Sequence, residues 1–315
     1  MATLPTPGGH PLNHLHTHKR LRRFAEKIRL SILPFCICAG MFAFPARATE
    51  LKPETVAAFD RYVAAAEARM DNDLRLDQFL AIDRLPDVAR QEAYDQLQRG
   101  QAYIEELHAE EDHHSIRIPS GLIHHWVGAM LIPKGTLAEA IAVLRDYEDQ
   151  PNIYRPEVRR AKLIVRNGNE SRVYLQFYNK SILTVVLDAY FNVVETPLGS
   201  ERMVSTSHST RIVEVANVGS PDERERAGGN DRGYMWRLNS YWRIEEKDGG
   251  VYIQDESITL TRTVPVLLAW LVNPLVKSIP REVLLHTLTN TRKAVLNSQT
   301  EPKHKSIPQV DAAAK

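Results

Sequence analysis

The sequence predicts an α+β fold: a curved antiparallel sheet wrapped around a long C-terminal helix, with an N-terminal helical extension. Three observations carry this. The stretch 233-GYMWRLNSYWRIEEKDGGVYIQDESITLTR-262 reads as a long hairpin. In it Tyr234, Trp236, Leu238, Trp242 and Ile244 recur at period two, and Asp248-Gly249-Gly250 supplies the turn. Four more strand-like runs precede it at short spacing. Residues 279-IPREVLLHTLTNTRKAVL-296 then have the apolar spacing of an amphipathic helix. A sheet closed by such a helix grips a hollow, and hollows of that kind are where small molecules bind.

A chain of 315 residues suits one domain of ordinary size with extensions. Its formal net charge of +1 hides an asymmetry. Lys19, Arg20, Arg22, Arg23, Lys27, Arg29 and Arg47 all lie within residues 1–48, against Glu26 alone. The rest is net acidic and has no basic excess with which to hold nucleic acid. Residues 1–48 read as a signal peptide: a basic region, the apolar run 30-LSILPFCICAGMFAF-44, and the small-x-small site 46-ARA-48. This predicts a periplasmic or secreted protein, with an uncleaved inner-membrane anchor as the alternative. The apolar run is shorter than the roughly 20 residues that a spanning helix prefers. Cys36 and Cys38 both fall inside it. The mature chain then lacks thiols, which excludes disulfides, cysteine nucleophiles and Cys-ligated zinc.

Residues 49–112 read as the helical extension. One helix is expected over 54-ETVAAFDRYVAAAEARM-70, with Pro53 near its start, and a second over 87-DVARQEAYDQLQRGQAYIEELHAE-110, weakened at Gly100. The main domain is expected over residues 113–297. Its first strand, 116-IRIPSGLIHHWVGAMLIP-133, is apolar on both faces and so is expected to be covered on both. A helix follows over 134–154, capped by Thr136 and Glu139 and stopped by Pro151. Strands are expected over 157–166, 171–179, 182–195 and 201–216. Turns fall at Asn167-Gly168, Asn179-Lys180-Ser181 and Pro197-Leu198-Gly199. Residues 217–233 read as a charged, mobile loop. The apolar run 264–280, broken by three prolines, reads as a lid helix or a cavity gate that touches membrane, and residues 298–315 as a disordered tail.

Strand, helix, six strands in hairpin succession and a long last helix: this order resembles the helix-grip fold of the START-like (SRPBCC) superfamily. It is most similar to uncharacterised bacterial members related to polyketide cyclases and coenzyme-Q-binding START domains. The resemblance spans about residues 116–297 and is carried by 144-LRDYEDQPNIYRPEVRRAKLI-164 and by the long hairpin. It implies a cavity between sheet and last helix that holds a lipid, isoprenoid or similar molecule. Its motifs are diffuse, and no catalytic residue transfers from them.

The residues expected to line that cavity are Trp126, Tyr190, His208, Trp236, Trp242, Glu256, Trp270 and Leu284. No cofactor and no metal are expected. His124 and His125 are adjacent on a strand and point to opposite faces, and no HExxH occurs. Ser207-His208-Ser209 invites a hydrolase reading, yet no GxSxG elbow exists. Asp255 and Glu256 alternate, so one of the two acids faces inward. That acid reads either as an ordinary cross-strand ion pair or as an anchor for a ligand head group. The expected function is binding or carrying of an apolar small molecule, with transient membrane contact. One alternative is a cyclase- or hydrolase-like enzyme using Glu256 with His208 or His125. The other is an envelope protein that captures a partner through its helical extension.

Overall fold

The computed structural model describes residues 51–111, 114–180, 184–227, 231–263 and 266–300, with backbone only for residues 111 and 266–277. The leader expected at 1–48 and the tail after Thr300 lie outside the described residues, as does Ser181 of one expected turn. Helices α1 (Pro53–Arg75) and α2 (Asp87–Gln98) come first, joined through a 3-10 turn at Ala81–Arg84. Strand β1 (Tyr103–Glu106) follows, then the two-residue pair β2 (Glu110–Glu111) and β3 (His114–Ser115). Next come β4 (Gly121–Pro133), α3 (Leu137–Arg145) and the single turn α4 (Gln150–Ile153). Four long strands succeed one another: β5 (Val158–Asn167), β6 (Glu170–Lys180), β7 (Thr184–Leu198) and β8 (Arg202–Ala216). After β9 (Arg224–Glu225) the hairpin β10 (Arg237–Lys247) and β11 (Gly250–Arg262) leads into α5 (Val266–Thr300).

The sheet is antiparallel and nine-stranded, in the order β1-β4-β11-β10-β8-β7-β6-β5, with β9 on β8. The first and last strands of the domain are therefore neighbours, and α5 packs chiefly on β4. This is the α+β helix-grip arrangement that the sequence predicts. Asp248 and Gly249 both take positive φ, 55° and 74°, as a two-residue turn of the primed type requires. Bulges in β5 between Leu163 and Val165, and between β7 and β8 at Tyr190/Phe191, bend the long strands. Thr136 caps α3 as expected: its hydroxyl accepts Glu139 N–H at 3.2 Å, and Glu139 accepts Thr136 N–H at 3.1 Å.

Three expectations need correction. The second helix does not reach residue 110. It ends at Gln98, because Gly100 adopts φ +76°, and the chain re-enters as β1 along β4. The strand expected from Ile116 begins at Gly121, after a left-handed Ser120. The apolar run 264–280 is not a lid separate from the closing helix: α5 is continuous through Pro274 and Pro280. Each interior proline costs the helix one backbone hydrogen bond, and downstream Leu284, Leu288, Thr291 and Val295 form a buried stripe that anchors it.

The sheet is covered on two faces. On one, Leu284, Leu288 and Val295 of α5 join Trp126, Met130, Ile132, Ile244, Val251 and Ile253, with Ala140 and Val143 of α3. On the other, Phe59, Tyr62, Ala66 and Met70 of α1 pack with Tyr241, Ile258 and Leu260. Phe79, Leu80 and Ile82 sit beside them on Ala129, Leu131 and Tyr252. The extension thus shares its core with the sheet. Among the described residues no helix is long and apolar enough to cross a membrane.

Candidate functional site

Strand parity sorts the polar groups between the two faces. On the α5 face two cross-strand rows meet in the middle of the sheet. One runs Trp126, Ser257, Ser240, Ser207, Val193, and the next runs Gly128, Asp255, Trp242, Ser205, Glu195. Gly128 lets α5 approach closely there: a Cβ on it would come within 2.7 Å of Leu288 and 3.2 Å of Leu284. Beyond these rows Val173, Phe191 and Val193 pack under Tyr147, with Leu175, Phe177, Ile212 and Leu238 only half-buried. These half-buried apolar side chains lie beyond β4 and β11, the strands on which α5 chiefly packs. Arg145 of α3 closes one flank through a bidentate pair with Glu195, at 3.0 and 2.7 Å.

Asp255 dominates the polar middle of this face. It is 7% exposed and accepts a hydrogen bond from Ser240 Oγ at 2.7 Å. Burial pushes its pKa up to about 7, and the Ser240 bond only partly offsets that. Near neutral pH this carboxyl is therefore protonated in a large fraction of molecules and can donate a hydrogen bond. Nearby, Tyr154 from the end of α4 is buried against α5. The Thr291 hydroxyl donates to Thr287 O at 2.9 Å, so the Tyr154 hydroxyl is the donor in its 3.0 Å bond to Thr291. Trp126 is 9% exposed, and its indole Nε1–H is buried with no partner among the described residues. His124 shares the face and bonds Thr261 Oγ1 at 3.3 Å. Burial pushes its pKa down to about 4, so the ring is neutral.

The opposite face holds a charged network sealed under α1. His125 Nε2 meets Glu256 Oε1 at 2.6 Å, and Tyr62 OH meets His125 Nδ1 at 3.0 Å. Burial depresses the His125 pKa, against the pull of Glu256. The ring is thus neutral, donating to Glu256 and accepting from Tyr62. Burial raises the Glu256 pKa, but the His125 bond and the charges of Arg69 and Arg243 outweigh it and leave the carboxylate ionised. Arg69 also pairs with Glu256, and with Asp73 at 3.1 Å. Arg243 donates to Phe79 O and Met70 O, both at 2.8 Å. The histidine–carboxylate pair foreseen for an enzyme exists, but both ring nitrogens are occupied, and the pair lies beneath a helix rather than in the grip.

The expected lining residues divide accordingly. Trp126, Trp242 and Leu284 stand on the α5 face. Glu256 lies under α1. His208 is on that side too, 2.7 Å from Glu67 of α1. Trp236, one residue before β10, packs with the α1 cluster and bonds Asp231 at 3.2 Å. Tyr190 also faces away from α5, beside Tyr174 and Arg211, with its hydroxyl 3.3 Å from Glu225. Trp270 lies on α5 in the segment whose side chains fall outside the described residues. Asp255, Ser240, Tyr154 and Thr291 were not on the expected lining. Asp255 was legible only as one of two alternating acids. No group of three or more His, Asp or Glu side chains with metal-holding geometry occurs among the described residues.

No protein-family model and no curated protein sequence matches this chain. Solved structures match it in fold. The solved structures it resembles are START-like proteins. A STAR-related lipid transfer protein from Xanthomonas axonopodis aligns over 62% of this chain and 99% of its own, at 15% identity and TM-score 0.38. The Zhui aromatase/cyclase from Streptomyces sp. R1128 aligns over 57% of this chain and 94% of its own, at 10% identity and TM-score 0.38. A START superfamily protein from Mycobacterium smegmatis aligns over 56% of this chain and 98% of its own, at 12% identity and TM-score 0.35. The likeness is one of architecture.

Proposed function

We propose that this chain binds and carries an apolar small molecule, a lipid or isoprenoid, between α5 and the facing side of the sheet. One observation carries the reading: half-buried Leu175, Phe177, Ile212, Leu238 and Trp242 lie beside a small polar centre on the face that α5 covers at β4 and β11. A mostly apolar lining with a few fixed polar groups is what a small-molecule site needs. The polar centre supplies orientation, and the apolar face supplies affinity through burial at about 25 cal/mol per Å². The reading includes export. Residues 1–48 have the order of a signal peptide, and delivery outside the cytoplasm suits a carrier that meets membranes transiently while loading.

Native mass spectrometry of gently purified protein, followed by organic extraction, tests the binding. A co-purifying apolar molecule, or stoichiometric uptake of an added one, is the expected result. A chain that stays at its apo mass with every added lipid rejects it. Cell fractionation with a mass measurement of the mature N-terminus tests the export, which fails if the full-length chain stays in the cytoplasm.

A further inference from the structure

The polar centre says more about the ligand than that it is apolar. An indole N–H only donates, and among the described residues the Trp126 group lacks an acceptor. Leaving such a donor buried and unpaired costs about 1–3 kcal/mol, so a partner at that place is worth having. Trp126 stands opposite Ser257 and diagonal to Asp255, which brings their side chains within reach of one bound atom. Ser257 and Ser240 continue the row, both half-buried, and Ser240 already spends its hydrogen on Asp255. Asp255 has no ion pair among the described residues. Among the described residues the polar centre therefore offers donors and a buried acid, and its nearest flanking cation, Arg145, is already paired with Glu195.

We propose that Trp126 and Ser257 form an anchor for one uncharged acceptor oxygen beside the Asp255 carboxyl, so that the ligand is an apolar ester, ketone or similar neutral carbonyl compound and not a free fatty acid. This rests on the binding function proposed above. The ligand's carbonyl oxygen takes the Trp126 hydrogen, and its chain lies along the apolar side chains toward Phe177 and Leu238. A carboxylate placed there would face the Asp255 carboxyl without a counter-charge.

The test is competitive capture from an equimolar mixture of hexadecane, methyl palmitate and palmitate, in mildly alkaline solution, read by native mass spectrometry. Methyl palmitate is expected to dominate. Trp126→Phe should lower the ester-to-hexadecane ratio about fivefold, the worth of one hydrogen bond. Asp255→Asn removes the negative charge, keeps an acceptor for Ser240, and should raise palmitate capture relative to the ester. Palmitate captured as well as the ester by the unaltered chain overturns the anchor. So does an ester-to-hexadecane ratio that Trp126→Phe leaves unchanged. If Trp126→Phe does not fold, the Asp255→Asn ratio decides. Capture of hexadecane with no preference for the ester leaves the binding function standing and removes the anchor. Capture of none of the three removes both.

Discussion

Asp255 makes stability fall with rising pH, and the size of that fall follows from its site. The carboxyl titrates at about 7 in the folded chain and at about 3.9 in an unfolded one. Between these values the folded state holds a proton that the unfolded state has released. A raised folded pKa gives stability that is complete below about pH 4 and is lost as pH rises to about 7. The interval of about three pH units, at about 1.4 kcal/mol each, amounts to about 4 kcal/mol. Asp255→Asn cannot ionise, and it keeps an acceptor for the Ser240 hydroxyl. The two chains should be nearly equal at about pH 4, and the variant should be more stable by up to about 4 kcal/mol at about pH 8. Urea unfolding, followed by tryptophan fluorescence at several pH values, measures the difference directly. Other titrating groups largely cancel in that comparison. A stability gap that does not widen between about pH 5 and about pH 8 would refute the assignment of Asp255 as a buried acid without a cation.

Three further outcomes follow from the packing. Glu256→Ala removes the buried carboxylate shared by His125 and Arg69, leaving Arg69 only Asp73, and should cost about 3–5 kcal/mol, seen as a large drop in melting temperature. Leu288→Ala empties a fully buried position between α5 and β4 and should cost about 2–5 kcal/mol in denaturant unfolding. Gly100→Ala forces a side chain into φ +76°, where its Cβ would meet Arg292 Nη1 at 2.9 Å. It should cost about 1–3 kcal/mol, and amide hydrogen exchange should show the end of α2 and the start of β1 opening first.

The strands and their order were legible because long period-two runs with marked turns leave few alternatives. The end of α2 was legible in principle, since Gly100 suits the left-handed position that closes a helix. The apolar pattern on either side of it hid the break. Which acid faces α5 was not legible. Asp255 shares parity with Val251 and Ile253, and Glu256 shares it with Tyr252, Ile258 and Leu260, so both sets are apolar. When both sides of a strand are covered, alternation no longer distinguishes inside from outside. Trp236 misled for another reason: it precedes β10, before the pleat fixes alternate directions. The pairing of Arg69 with Glu256 spans most of the chain, and no local pattern encodes it.

The two neighbouring acids give the β10–β11 turn a role far from its own position. Losing or gaining one residue at Asp248-Gly249 would shift every position of the returning strand by one. Glu256 would then come to lie under α5, and Asp255 under α1, where its shorter arm falls short of Arg69. A single-codon change at this exposed corner would therefore scramble charge in the deepest part of the molecule, so indels there should be among the least tolerated in the gene.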